Sequence, residues 1–349
     1  MRIVVNDIAA STGGALTVLK NFYNCVREYG TDDEWIFLLG DELLEETENI
    51  KVIALPKVKR SRIEKMRFDF FTGKKYISAL KPDVVISLQN IITFGLKIPQ
   101  VLYLHQAIPF QKVKRFSFFK KSERSLAVCQ HFIGAIIKKS VKNAEKVIVQ
   151  TEWLKRAVAE ECRISLERIE KIPPNVNMLF GLSSSQTECG RASFFYPTAT
   201  AIYKNNQTLL EACKILNEKG HAFECTLTLN GGAEIKGVEY TGRLEYKDVI
   251  ESYQKSVLVF PSYIESFGLP LAEARELGAV ILASDCEFSH ELLDGYKNAY
   301  FFNPFSPEDL AMLMENVILG KIKKRPAEKP SGNNQNSWVK FIEVAKGIK

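Results

Sequence analysis

A chain of 349 residues with 46% hydrophobic and 25% charged residues is long enough for two cores and too apolar to be disordered. It contains no run of 18 uncharged apolar residues, which excludes a membrane-spanning helix, and its four isolated histidines and seven scattered cysteines lack metal-ligand spacing, so no metal and no disulfide framework is expected. The net charge of +6 is uneven, +9 over residues 1–175 and −3 over residues 176–349, so the two halves are expected to meet different partners.

The chain opens on MRIVVNDIAASTGG, whose apolar run is broken by Asp7 and followed by no cleavage-like segment. It reads as a first strand rather than a signal peptide, and with reduced cysteines it implies a cytoplasmic protein. Short β-branched runs predict strands over Arg2–Asn6, Trp35–Leu39, Lys51–Leu55, Val84–Leu88, Gln100–Leu104 and Lys146–Gln150. Between them, apolar spacing of three and four predicts helices over Ala15–Tyr29, Ser61–Leu80, Phe116–Ser140 and Glu152–Glu161. Paired prolines in IPPNV, residues 172–176, mark a linker, after which the alternation restarts. The second half predicts strands over Ser193–Pro197, Glu224–Leu229, Val257–Pro261, Ala279–Ser284 and Ala299–Asn303. Its helices are predicted over Asn205–Lys219, Tyr246–Ser256, Pro270–Gly278 and Pro307–Leu319. A polar connector over 321–337 leads to a last helix, Trp338–Ile348. Such alternation specifies α/β domains with parallel sheets, whose ligands sit at the carboxyl ends of strands.

The stretch from Val257 to Asp285, VLVFPSYIESFGLPLAEARELGAVILASD, concentrates the chemistry. A strand gives way to a loop with Glu265, and Ser266-Phe267-Gly268 leads into a helix whose free N–H groups favour phosphate. Glu273, eight residues after Glu265, is expected in that helix's first turn, and carboxylates accept hydrogen bonds from sugar and ribose hydroxyls. The same spacing also fits a Glu273 that merely favours the helix dipole beside a solvated Glu265. Lys204, at a strand-to-helix turn, can neutralise a diphosphate or be a plain surface lysine. Gly13 and Gly14 allow either close approach of a ligand or a tight turn. His105 ends an apolar strand, where a histidine is more often structural. The run FQKVKRFSFFKKSER, residues 110–124, could lie on an anionic bilayer, although a helix with a buried aromatic face explains it as well. No nucleic-acid motif accompanies the basic half, so nucleic acid is not an expected partner.

The segment ESFGLPLAE resembles the Glu-x7-Glu signature of retaining GT-B glycosyltransferases, and is most similar to glycosyltransferase family 4. TEWLKRAV, IPPNV, YKNNQTLLEA and TGRLEYKDVIESYQKSVLVFPS resemble, in order, further segments of that family across most of the chain. The resemblance implies that Glu273 holds the ribose hydroxyls of a nucleotide and that Glu265 and His105 lie by the donor sugar. It also implies that Lys204 meets the diphosphate, with Phe267, Gly268 and Leu269 offering backbone N–H groups, and that Gly13 and Gly14 lie beside the donor phosphate or the acceptor. The family often carries an arginine where this chain has Thr198; Arg243 in the TGRL loop is a candidate substitute, and a solvated loop residue is the alternative.

The expectation is therefore two Rossmann-like doubly wound domains facing a cleft: an acceptor-side domain over 1–172, a nucleotide-sugar domain over 173–334 and a C-terminal helix over 335–349 crossing back to the first. The implied activity is retaining hexosyl transfer from a nucleoside-diphosphate sugar to a glycan or lipid-linked acceptor, in surface polysaccharide synthesis, with no cofactor. The absence of an Asp-x-Asp pair argues that it is metal-independent. A nucleotide-sugar 2-epimerase and a non-catalytic nucleotide-sugar-binding subunit share the architecture.

Overall fold

The computed structural model describes residues 1–11, 13–176, 192–326 and 336–348. Two compact units are present: one holds Met1–Asn175 and the C-terminal helix Ser337–Lys346, and the other lies within Val176–Asn333.

The first unit is a sheet of parallel strands, β1 (Arg2–Asp7), β2 (Glu34–Leu39), β3 (Ile50–Ala54), β4 (Val84–Ser87), β5 (Gln100–Tyr103), β6 (Lys146–Val149) and β7 (Ile169–Lys171). Their order, 3-2-1-4-5-6-7, is the Rossmann order with one strand added. It reverses between β1 and β4, where Asn6 stands beside Ser87 and Ser87 beside Leu102. The strands β1, β2, β4, β5 and β6 are buried along nearly all their length because helices cover both faces, whereas β3 and β7, at the sheet edges, are only partly buried. On one face Ile3 and Val5 pack with Phe22 of α1 (Gly13–Tyr29) and with Trp338 and Phe341 of the C-terminal helix. The Phe22 ring centre lies 5.7 Å from Trp338 and 5.1 Å from Phe341, and Tyr103 stacks on Phe341 at 5.6 Å. The C-terminal helix thus crosses back and completes the first core. On the other face Val4 and Ile8 meet Phe68 and Ile77.

Two helices differ from expectation. The stretch predicted over Ser61–Leu80 carries a π turn at Phe68–Thr72. The one predicted from Phe116 begins at Arg124 and also contains a π turn, at Cys129–Ile133, before α2 (Gly134–Asn143). Side chains occupy the backbone groups that a helix over 116–123 would need. Gln130 accepts from the Phe116 N–H at 2.9 Å, Glu123 accepts from the Ser117 N–H at 2.9 Å, and Gln111 and Gln130 both donate to the Lys114 carbonyl. The helix with a buried aromatic face is therefore not what residues 110–123 form. Phe110 and Phe116 are buried, while Phe119 is 95% exposed. Helix α3 (Glu152–Cys162) leads to β7, an edge strand too short to show a pattern in the sequence.

The second unit repeats the plan. Strand β8 (Ala192–Tyr196) leads to α4 (Asn206–Glu218), followed by β9 (Phe223–Leu227) and β10 (Val238–Tyr240). Then come α5 (Tyr246–Lys255), β11 (Val257–Phe260), α6 (Leu269–Glu276), β12 (Ile281–Ser284), α7 (Glu287–Leu293), β13 (Ala299–Phe302) and α8 (Pro307–Ile318). The parallel order is β10-β9-β8-β11-β12-β13, the six-stranded Rossmann arrangement, reversing between β8 and β11. Its core is aromatic and aliphatic: Phe194, Phe195 and Tyr196 on β8, Leu209, Cys213 and Leu216 on α4, and Leu258 to Phe260 on β11 are all buried. The cysteines among the described residues are unbridged, and all but Cys129 are buried. Cys189 and much of the expected 321–337 connector lie outside the described residues.

Candidate active site

In the second unit the chemistry-bearing residues gather where the strand order reverses. The chain leaves β8 through Thr198 and a single 3-10 turn, Ile202–Lys204, before α4. Asn205 caps α4 at φ 59°, a left-handed conformation that asparagine tolerates better than most residues. Its Nδ2 donates to the carbonyls of Pro261 at 3.1 Å and Pro304 at 2.6 Å, and its Oδ1 accepts from the Thr208 hydroxyl at 3.0 Å. One side chain thereby ties together the loops that follow β8, β11 and β13. The Tyr196 hydroxyl donates to the Lys204 carbonyl at 2.7 Å, and the Tyr263 N–H donates to the Tyr203 carbonyl at 3.0 Å.

This scaffold brings Lys204 to Glu265. Lys204 Nζ lies 2.6 Å from Glu265 Oε1, and the Ser262 hydroxyl donates to the same oxygen at 2.7 Å. Both side chains remain partly exposed, so the pair is fixed yet reachable. Thr198 presents no charge here. Its hydroxyl donates to Asn206 Oδ1 at 2.7 Å and its N–H to the Thr228 hydroxyl at 2.7 Å.

Glycine at 268 is required by its conformation. At φ 101° it caps α6, and a Cβ there would sit in a backbone region that other residues rarely adopt. Because this cap starts the helix at Leu269, one residue before Pro270, Glu273 is the fifth helical residue and stands in the second turn, not the first as expected. Phe267 is buried and Leu269 is exposed beside the free N–H end of α6.

Glu273 is itself buried. Tyr246 donates to its Oε1 at 3.2 Å and Tyr253 to its Oε2 at 3.1 Å. Burial raises its carboxyl above the ordinary range, and the two phenols oppose that rise. Neither tyrosine was singled out from the sequence, although their seven-residue spacing on a helix places them on one face. Arg243 stands exposed in the loop between β10 and α5.

His105, Gly13 and Gly14 belong to the first unit. His105 follows β5, where its N–H donates to Asn90 Oδ1 at 2.8 Å and its Nε2 lies 2.9 Å from Asn90 Nδ2. Burial pushes its imidazole down to about 4, and Nδ1 has no partner among the described residues. Gly13 and Gly14 open α1, and a Cβ on Gly14 would meet nothing within 4 Å. Packing within the unit does not demand a glycine there. Nearby, Asp7 ends β1, buried, its Oδ2 without a partner among the described residues, and burial raises its carboxyl to about 7 against the opposing charges of Lys65 and Lys59. In the sequence Asp7 stands out only as a break in an apolar run.

Among the described residues no group of three or more His, Cys, Asp and Glu side chains could hold a metal ion, and no helix is long and apolar enough to cross a membrane.

Residues 12–178 match the family model described as Glycosyltransferase Family 4, and residues 187–334 match that described as Glycosyl transferases group 1. A stretch of 109 residues is 39% identical to the serotype-specific mannosyltransferase WbdA of Escherichia coli, amounting to 30% of this chain and 13% of WbdA. Over 301 residues the chain is 22% identical to the O-antigen chain mannosyltransferase RfbU of Salmonella typhimurium, covering 78% of this chain and 83% of RfbU. Of solved structures, WaaG, a glycosyltransferase involved in lipopolysaccharide biosynthesis, has a TM-score of 0.74 at 14% identity, covering 99% of this chain and 100% of WaaG. That likeness is one of fold, the GT-B pairing of two Rossmann-like domains.

Proposed function

Since the chain belongs to the GT-B glycosyltransferases resembling glycosyltransferase family 4, we propose that it transfers a hexosyl group, with retention, from a nucleoside-diphosphate sugar to a glycan or lipid-linked acceptor. The observation that carries this reading is the Lys204–Glu265 pair at the switch point of the second sheet, beside the N-terminus of α6. An ammonium and a helix N-terminus suit a diphosphate, and a carboxylate held by Ser262 suits a sugar hydroxyl. Glu273 holds the ribose, Arg243 adds the cation that Thr198 does not supply, and the N–H groups of Phe267, Gly268 and Leu269 meet sugar and phosphate. The first unit takes the acceptor side, with His105 by the transferred sugar and Gly13 and Gly14 near the phosphates.

In this reaction the bond from the anomeric carbon to the diphosphate oxygen breaks. The acceptor oxygen bonds to the same face of that carbon, and its proton passes to an oxygen of the leaving diphosphate. Lys204 and the α6 N-terminus stabilise the charge that grows on the leaving group, and binding supplies orientation. No Asp-x-Asp pair is present to anchor a divalent ion, which supports a metal-independent reaction.

The roles of WbdA, RfbU and WaaG support an acceptor in surface polysaccharide synthesis, and hence a cytoplasmic enzyme touching the membrane face through residues 110–124. Titration of UDP, GDP and ADP into wild type and Glu273→Ala, in EDTA, tests the donor site. At least one nucleotide should bind the wild type and bind the variant roughly tenfold or more weakly, as expected for losing hydrogen bonds to a charged group. Equal affinity would remove Glu273 from the site, and binding that appears only with added Mg²⁺ or Mn²⁺ would overturn metal independence.

A further inference from the structure

The carboxylate of Glu273 is buried on α6, and among the described residues no cation pairs with it. Its two oxygens are instead divided between two phenols, Tyr246 on Oε1 at 3.2 Å and Tyr253 on Oε2 at 3.1 Å. Both come from α5, seven residues and two turns apart, so they project from one face. Tyr253 is 1% exposed and packs edge-on against Phe195 at 5.7 Å, whereas Tyr246, 40% exposed, stands at the rim. Two such anchors fix both the position and the plane of the carboxylate. Each carboxylate oxygen offers about two acceptor sites, so after one phenol apiece each oxygen retains a site for an incoming donor. Two adjacent oxygens with one free site each match two adjacent hydroxyls.

We propose that Tyr246 and Tyr253 are positioning residues that orient Glu273 so that its two oxygens receive the 2′- and 3′-hydroxyls of a ribonucleotide. The proposal rests on the reading that Glu273 holds the ribose. A phenol reaches a carboxylate without neutralising it, so the carboxylate keeps its capacity to accept while losing its freedom to rotate. A lysine or arginine in the same place would draw the oxygens toward its own donors and leave a net neutral site.

The test measures, by titration calorimetry, the affinity of wild type, Tyr253→Phe, Tyr246→Phe and Glu273→Ala for whichever of UDP, GDP and ADP binds best, and for its 2′-deoxy and 3′-deoxy forms. Each phenylalanine variant keeps the ring and loses one hydrogen bond, and should weaken the ribonucleotide roughly 5- to 20-fold. The same variants should weaken each deoxy form less than the ribonucleotide, because one of the two hydroxyls that a misaligned carboxylate would lose is already missing. Equal weakening of ribo and deoxy forms overturns the proposal, since the phenols would then support the fold and nothing more. Wild-type affinity in both phenylalanine variants, with Glu273→Ala impaired, overturns it as well and leaves the ribose reading standing. Unchanged affinity in Glu273→Ala removes that reading and the proposal together. Should Tyr253→Phe fail to fold, the rim variant Tyr246→Phe decides between the same outcomes.

Discussion

Two ionisable groups at strand ends of the first unit, the buried Asp7 and the half-buried His105, pull its stability in opposite directions. Asp7 titrates at about 7 instead of 3.8 because burial disfavours its charge. The folded state therefore holds a proton that the unfolded state releases. Its contribution is complete below pH 3.8 and is lost as pH rises through 7, a change of roughly 4 kcal/mol. His105 titrates at about 4 instead of 6.5 for the same reason. Its contribution is complete above pH 6.5 and is lost as pH falls through 4, a change of roughly 3 kcal/mol. Between pH 4 and 6.5 the two slopes oppose each other. Denaturant unfolding across pH 4 to 7.5 should show Asp7→Asn gaining stability with pH more steeply than wild type, and His105→Gln losing it. Parallel curves for wild type and Asp7→Asn would refute the assignment. The buried state of Asp7 was hidden in the sequence, where a lone aspartate after an apolar run looks like the end of a strand. Lys204 and Glu265 drew notice in the sequence because they flank helix starts, where free backbone N–H groups attract anionic ligands, and Glu273 because it was expected in the first turn of α6 rather than the second; the roles of all three are proposals. Tyr246 and Tyr253 drew none, since tyrosines on the apolar side of an amphipathic helix ordinarily serve the core.

At the level of elements, apolar periodicity carried the long features and failed on the short ones. Strands such as β1, β2 and β11 are buried along nearly all their length, so unbroken β-branched and aromatic runs announce them. The edge strands β7 and β10 have three residues each, too few for a pattern. Neither π turn left a signature, because it changes which backbone groups pair and not which residues are apolar. The segment 116–123 misled because its backbone hydrogen bonds run to side chains, those of Gln130 and of its own Glu123, instead of to helical carbonyls. The C-terminal helix is the clearest success and the most exposed to test. Phe341 is fully buried against Phe22, Tyr103 and Trp338. Truncation to alanine should cost the first unit roughly 3–5 kcal/mol through lost burial and a residual cavity. Chemical denaturation followed by tryptophan fluorescence measures it, and a loss under 1 kcal/mol would mean that the helix is dispensable to that core.

For the molecule as a whole, charge and exposed aromatics fall together on the first unit. Lys112 pairs with Glu160, and Lys114 and Lys120 lie within ion-pair distance of Glu123, so part of the basic run is already neutralised. Phe118 and Phe119 are nevertheless exposed, the former in edge contact with the exposed Phe132 at 5.9 Å, next to the exposed Arg115 and Lys121. Aromatic side chains at the interface with cations at the headgroups are what peripheral binding to an anionic bilayer requires, at about 1 kcal/mol per cation. Wild type should co-sediment with phosphatidylglycerol-containing vesicles and not with pure phosphatidylcholine. The combined variant Phe119→Ser, Arg115→Ala, Lys121→Ala should lose most of that binding. Equal sedimentation of both proteins with anionic vesicles would show that this patch is not the contact.

The return of the last helix to the first core also fixes an order of events during synthesis. Trp338, Phe341 and Ile342 leave the ribosome some 160 residues after β7, a delay of roughly ten to thirty seconds at ordinary elongation rates. Throughout that interval the face of Phe22 and Tyr103 that they cover stands open, while every strand of the second sheet becomes available to pair. The unit encoded first is therefore the one finished last. A nascent chain stalled before Ser337 would carry an unsealed aromatic surface for chaperones to hold.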